Sequence, residues 1–262
     1  MAWVLIVASL LLLLWLASLT LCKFLHAPTS PLLTTAAGGL FSQFQKRNIL
    51  LVVAHPDDES MFFSPTISYL TSRGHNLHIL CLSIGDADGK GNVRKEELYQ
   101  ACAILKVPLQ QVKTLDHPDL QDGFGRVWNH SLLAKIIQGE IINHGIDLII
   151  TFDSYGVSGH CNHRDVHYGV RSKLLRDTSQ GNIEAWELVS TNILRKYIGP
   201  VDIWLSILDA MRHSGEVMHC LLNEHPQKSF LAMAQHSSQW VWFRKLFVAF
   251  SSYTYVNMLR RI

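Results

Sequence analysis

Charged side chains are sparse in this chain, 17% of 262 residues, and they nearly cancel at a formal charge of +2. That balance is too small to capture a polyanion, and no basic stripe with interleaved aromatics runs through the middle of the chain. Nucleic-acid binding is therefore set aside. Cysteine is scarce as well: Cys22, Cys81, Cys102, Cys161 and Cys220 are odd in number, scattered, and in no C-x-x-C pair. This is the pattern of a reducing compartment rather than of a disulfide framework. The chain lacks an internal repeat, a low-complexity tract and a second catalytic domain. Its one glycine- and aspartate-rich loop, Gly85-Asp86-Ala87-Asp88-Gly89-Lys90-Gly91-Asn92, has neither the ligand spacing of an EF-hand nor the Gly-Lys-Ser/Thr ending of a P-loop.

Charge is missing altogether from Ala2 to Cys22. Roughly 21 residues at about 1.5 Å each give about 31 Å, the thickness of a bilayer core. A cleaved signal peptide would want a basic leader, an apolar core of about 7–15 residues and a small-residue cleavage site. Only Met1 precedes the run, so residues 2–22 are read as an uncleaved transmembrane anchor. Lys23, then Lys46 and Arg47, flank its C-terminal side and no Lys or Arg precedes it. The positive-inside rule leaves the main domain in the cytoplasm, where the sequon Asn129-His130-Ser131 stays bare. Residues 23–47, with Pro28, Pro31, Gly38 and Gly39 and no clear period, read as a linker.

What the chain does have begins at Asn48. The run Asn48-Ile49-Leu50-Leu51-Val52-Val53 carries no polar alternation and reads as a strand buried on both faces. It opens directly into Ala54-His55-Pro56-Asp57-Asp58-Glu59. His55 and Asp58, three apart in a turn entering a helix, suit convergence on one cation, and Asp57 is left free as a base. A second buried strand, Ile146–Phe152, leads into Gly159-His160-Cys161-Asn162-His163-Arg164-Asp165-Val166-His167. Ligands in open α/β sheets sit outside the carboxyl ends of the strands. Two such ends supplying His, Asp and His make a catalytic metal site with an open position for water. A lone histidine after a strand is more often a hydrogen-bonded loop residue, and it is the pairing of two clusters that reverses those odds.

Between and beyond these strands the chain alternates: a helix over 59–72, a strand over 77–84, a strand over 111–115, a helix over 126–144, a helix over 164–176, a short strand over 187–190, a helix over 201–208 and a late edge strand over 216–222. This order argues for a single Rossmann-like α/β domain with a mostly parallel sheet covered on both faces. Its bounds are read as 48–239. The tail 240–262 mixes Trp240, Trp242, Phe243, Phe247 and Phe250 with Arg244, Lys245, Arg260 and Arg261. That mixture suits a membrane interface as well as it suits packing on the sheet. Asp116 and Asp122, on a loop of the active edge, either bind sugar hydroxyls or serve the turn.

His55-Pro56-Asp57-Asp58-Glu59 together with His160-x-x-His163 resembles the LmbE-like family of zinc-dependent de-N-acetylases. Thr151-Phe152-Asp153, Gly156–His160, Asn192–Ile198 and the N-terminal hydrophobic segment resemble the branch that acts on a phosphatidylinositol-linked N-acetylglucosamine in anchor synthesis. The resemblance implies the LmbE-like fold, Zn2+ on His55, Asp58 and His163, Asp57 as general base, and His160 as stabiliser of the oxyanion. It further implies a substrate contact from Arg94, which opens an Arg-x-x-Glu-Leu pattern, and one from His236, in His236-Ser237-Ser238-Gln239. The implied partners are the glycolipid and the bilayer, and the implied location is the endoplasmic reticulum membrane. Two other readings stay open: a de-N-acetylase of a different N-acetyl sugar conjugate, and a catalytically silent subunit of a membrane complex.

Overall fold

The computed structural model describes residues 2–25, 46–123, 125–174, 183–213 and 218–262. Most of the expected linker lies outside the described residues. Helix α1 (Ala2–Leu25) is followed by β1 (Asn48–Val53), the single turn α2 (Asp58–Met61), α3 (Ser64–Ser72), β2 (Asn76–Cys81), α4 (Gly91–Ile104) and β3 (Val112–Thr114). Next come α5 (His130–His144), β4 (Leu148–Phe152), α6 (Cys161–Tyr168), β5 (Glu184–Leu188), α7 (Ile193–Lys196) and α8 (Asp202–Arg212). The chain closes with β6 (Met218–Leu222), α9 (Pro226–Gln235), α10 (Trp242–Phe250) and β7 (Val256–Arg261).

The seven strands form one sheet in the order β3-β2-β1-β4-β5-β7-β6. The first five pair in parallel, with the apolar runs of β1 and β4 buried at the centre, and β7 pairs antiparallel with both β5 and β6. From β1 the chain winds outward to β2 and β3, then returns to set β4 on the other side of β1. Neighbouring strands that feed loops in opposite directions leave a crevice between their carboxyl ends. The two histidine-bearing loops leave from those two ends.

One expectation changes and another is not confirmed. Residues 240–262 are not a tail outside the domain: β7 lies inside the sheet, so the domain runs past residue 239. The polar residues Asn257, Arg260 and Arg261 within Val256–Arg261 hid the strand, and Asn257 shows what such a residue does there. Asn257 is fully buried; its Oδ1 accepts from Thr66 N (3.1 Å) and Thr66 Oγ1 (2.7 Å), and its Nδ2 donates to Phe62 O (2.9 Å). It stitches β7 to the helices behind the first motif. The unconfirmed one is α1 as an anchor. It is a 24-residue helix without an acidic residue in its first turn, but taken over the described residues no helix is long and apolar enough to cross a membrane.

Its Trp15 ring meets Tyr255 edge-on at 6.1 Å, and Ser18 Oγ accepts from Trp204 Nε1 at 2.9 Å. One side of α1 is thus packed on the domain. Asn257→Ala should lower the unfolding free energy by about 2–3 kcal/mol through the unpaired Thr66 N–H and Phe62 C=O it leaves behind, as read by urea denaturation. A chain stopped at residue 239 should show no cooperative transition.

Candidate active site

Asp58 closes the turn that leaves β1. Its Oδ2 accepts from Ala54 N (3.0 Å) and His55 N (2.8 Å), which fixes the carboxylate under the loop. Its Oδ1 is thereby aimed across the crevice and lies 3.2 Å from His163 Nε2. His163 Nδ1 donates to Gly156 O at 3.0 Å, so the ring proton belongs on Nδ1 and a lone pair faces Asp58. Two lone pairs at that distance require a cation or a proton between them.

His55 is oriented with equal care. Its Nε2 lies 3.1 Å from Asp122 Oδ1 and 3.1 Å from Asn162 Oδ1, both acceptors. The Asn162 orientation is set because its Nδ2 donates to Arg126 O at 2.7 Å. Nε2 therefore carries the proton and Nδ1, 3.8 Å from Asp58 Oδ2, faces the crevice. Burial opposes charge on His55, but the Asp122 hydrogen bond and the Asp58 and Asp57 carboxylates outweigh it and raise its pKa. Asp58 feels the same balance in reverse: burial disfavours its charge, the His163 and His55 rings favour it, and its pKa falls well below the carboxylate range.

His160 completes the cluster. His55, His160 and His163 each offer a nitrogen within 4.8 Å of the others, so the crevice contains two overlapping donor sets that share His55 and His163 and differ in Asp58 or His160. His160 Nδ1 accepts from Asn162 N at 3.3 Å, capping α6. Its proton is left on Nε2. Burial, then the neighbouring His55 and His163, lower its pKa to about 4, so it is a neutral N–H donor near pH 7. The chemistry of these donors fits a divalent ion of the kind zinc hydrolases hold.

The loop carrying His160 and His163 is strained into place. Gly156 has φ +66°, and a Cβ on it would stand 2.6 Å from His163 Cβ. Val157 has φ 65°, costly for a β-branched residue. Its N–H donates to Ser190 Oγ (2.8 Å) and its carbonyl accepts from the buried Lys196 Nζ (2.5 Å). Asp153 accepts from Tyr155 N and Gly156 N and from Ser190. Phe152 stacks flat on His163, 4.1 Å between centroids and 1° between planes, and Trp128 meets His55 edge-on at 5.9 Å. Beside Trp128 a cleft of about 770 Å³ opens, with Arg126, Asn129 and Lys135 among its walls.

Asp57, expected to be free, is not. Its Oδ2 accepts from Arg244 Nη1 (2.5 Å) and Arg94 Nη2 (3.3 Å), and its φ of 122° is held by its N–H on Glu59 Oε2 (3.0 Å). Among the described residues no guanidinium bonds to Oδ1. Arg94, expected to reach the substrate, is buried, with Nη1 on Gly85 O and Asp122 Oδ2 and Nη2 on Pro56 O. It is a strut between three loops. Asp122 joins the site, its pKa brought down to about 2 because His55 and Arg94 overcome the opposing effect of burial. Asp116 is exposed and pairs with Gln121 at 3.4 Å, away from the cluster.

His236, also expected at the substrate, is 0% exposed and shares a 2.7 Å contact with Glu59 Oε1. It acts through Glu59 on the backbone of Asp57. His167, the last histidine of the second stretch, is buried between Phe152 O (3.1 Å) and Glu187 Oε2 (3.2 Å). Sequence reasoning missed Asn162, although it sits between the two motif histidines, and it missed Arg244 and Lys196, which carry no local signal.

Burial disfavours charge on His236, and Glu59 more than offsets this, so its pKa is raised above 6.5. The pair's contribution to stability is then full below that value and is lost as pH rises through the folded-state pKa. Urea denaturation of the wild type and of His236→Asn should show the wild-type advantage shrinking as pH is raised from 6 to 9. An advantage that grows over this range would assign the wrong sign.

Residues 50–174 match the family model described as "PIG-L: GlcNAc-PI de-N-acetylase". The chain is 37% identical over 210 residues to the N-acetylglucosaminyl-phosphatidylinositol de-N-acetylase of Bos taurus, covering 80% of this chain and 81% of that one. It is 38% identical over 217 residues to the probable enzyme of that name from Schizosaccharomyces pombe, covering 82% and 86%. Among solved structures it resembles the A40926 pseudoaglycone deacetylase Dbv21, with a TM-score of 0.58 at 12% identity, covering 83% of this chain and 97% of that one. At that identity the likeness speaks for the fold alone. With the fold, the paired loops and relatives of this identity in agreement, the chain belongs to the PIG-L family of GlcNAc-PI de-N-acetylases.

Proposed function

We propose that this chain hydrolyses the acetamide of N-acetylglucosaminyl-phosphatidylinositol, releasing acetate and glucosaminyl-phosphatidylinositol in the second step of glycosylphosphatidylinositol-anchor synthesis. The observation that carries this reading is the meeting of Asp58 Oδ1 and His163 Nε2 at 3.2 Å, with His55 and Asp57 alongside. Relatives that bear the enzyme's name over most of their length support the choice of substrate.

On this reading His55, Asp58 and His163 hold a divalent ion, Zn2+ being the natural choice for two imidazoles and a carboxylate. Such an ion supplies polarisation of the acetyl carbonyl and a water acidic enough to attack near neutral pH. The rest falls to the chain's own side chains. Asp57 takes a proton from the attacking water at Oδ1, while Arg94 and Arg244 hold Oδ2 and so fix the carboxylate. His160 Nε2–H donates to the acetyl oxygen as that oxygen gains charge. Asp57 then returns its proton to the leaving nitrogen. The cleft beside Trp128, with Arg126 and Lys135, suits the inositol phosphate.

The same reading makes α1 a single-pass anchor in the endoplasmic reticulum membrane, with the domain toward the cytoplasm. Trp3, Leu5, Leu10, Leu12 and Leu13 of α1 are exposed, which supports an apolar surrounding for that end of the helix. Metal analysis alongside acetate release from the glycolipid tests the division of roles. Asp58→Ala should lose both metal and turnover. Asp57→Asn should keep the metal and lose about 10²–10⁴-fold in kcat. Equal metal retention in the two variants would overturn the assignment.

A further inference from the structure

Helix α10 presents two different faces. Val248 is buried, and Phe247 meets Phe62 edge-on at 5.7 Å, behind the crevice. On the other side Trp242, Phe243, Leu246 and Phe250 are exposed, Trp242 at 72%. After Glu224 the sequence contains no acidic residue but has Lys228, Arg244, Lys245, Arg260 and Arg261. Arg244 and Arg260 are paired with Asp57 and Glu187, which leaves Lys245 as the exposed base of α10, and an exposed aromatic face beside it is complementary to an anionic lipid surface.

The neighbours of α10 continue this face. Tyr197, just after α7, meets Phe247 edge-on at 6.1 Å, and Ile193 and Leu194 of α7 are exposed. At Gly199 an added Cβ would stand 2.9 Å from Trp15 Nε1 of α1 and 3.5 Å from the Phe250 carbonyl of α10, so the two helices meet there. The exposed Trp204 of α8 donates to Ser18 on α1.

The packing of α1 adds a length constraint. Trp15 and Ser18 are engaged with the domain, while Trp3, Leu5, Leu10, Leu12 and Leu13 before them are exposed. At about 1.5 Å per residue the stretch before Trp15 is about 20 Å long, against a hydrocarbon core of about 30 Å. For α1 to cross, its packed turns must also enter the apolar layer, and they bring α8 and α10 down with them.

We propose that α10, with α7 and α8, is a lipid-docking face that seats the domain in the bilayer interface and sets the catalytic crevice at headgroup depth. The inference rests on the glycolipid reading above for its purpose, though not for its geometry. Arg244 links face and site: from α10 its Nη1 reaches Asp57 Oδ2 at 2.5 Å and Gln239 Oε1 at 2.7 Å. The helix that meets the lipid therefore also walls the crevice.

The test uses the full chain in nanodiscs of phosphatidylcholine and phosphatidylserine, with ordinary or brominated acyl chains. The emission difference between wild type and Trp242→Ser isolates Trp242, and circular dichroism checks that the variant is folded. Bromination should cut the Trp242 emission by roughly half or more, as for a ring seated at the acyl boundary. Emission indifferent to bromine would overturn the proposal, as would shielding that appears only when a second copy or another protein is added. A second arm reads turnover of Phe243→Glu/Leu246→Glu. Deacetylation of the disc-embedded glycolipid should fall about tenfold, in keeping with the lost interfacial burial, while the water-soluble glycosyl-inositol headgroup should be turned over as by the wild type. Equal loss on both substrates would overturn it too. If neither substrate is deacetylated by the wild type, the functional reading fails, and the quenching result still decides the docking.

Discussion

One buried carboxylate with its two oxygens facing opposite ways organises this molecule. Asp58 Oδ2 ties down the backbone that leaves β1, and Asp58 Oδ1 faces His163 from the loop after β4. A buried anion is tolerated only when its hydrogen bonds and charge are met; here two amides meet Oδ2, and Oδ1 shares with the His163 nitrogen the place of a proton or a cation. The same group thus builds the loop and addresses the site. Everything nearby serves that placement: the switch in winding between β1 and β4 brings the two loops together, and Gly156 lets His163 approach.

Around this centre the polar residues form supports rather than a set of independent contacts. Arg94 ties Gly85, Pro56, Asp57 and Asp122 together from a buried position. Glu59 holds the Asp57 amide and is itself held by His236 from the far end of the chain. Asn162 sets the tautomer of His55 with its side chain and that of His160 with its backbone N–H. Each of these residues fixes an angle or a proton position at a group that faces the crevice.

The parallel strands and the two motif loops were legible because each signal is local: an unbroken apolar run, followed at once by clustered histidine and aspartate. The roles of Arg94 and His236 were not, since nothing near either position says whether its side chain is buried. The partner of His236 lies 177 positions away at Glu59. For the same reason the strand over Val256–Arg261 escaped notice, its buried Asn257 reading as a solvent-facing polar residue until Thr66 and Phe62 are seen across from it. Arg244 shows a further limit. A base among aromatics fits an interface on composition alone, and only the three-dimensional arrangement brings it to Asp57.

On the metal reading proposed above, the flat contact between Phe152 and His163 bears on selectivity among ions. A ring clamped between an aromatic floor and the Gly156 carbonyl has little torsional freedom left to lose. Its ordering cost is met once, during folding, and not again at each capture. A donor frozen in this way also declines to adjust its bite, so cations too large for the fixed spacing, or bound to their own hydration shell too tightly to shed it, gain less from the crevice than one that matches it as it stands.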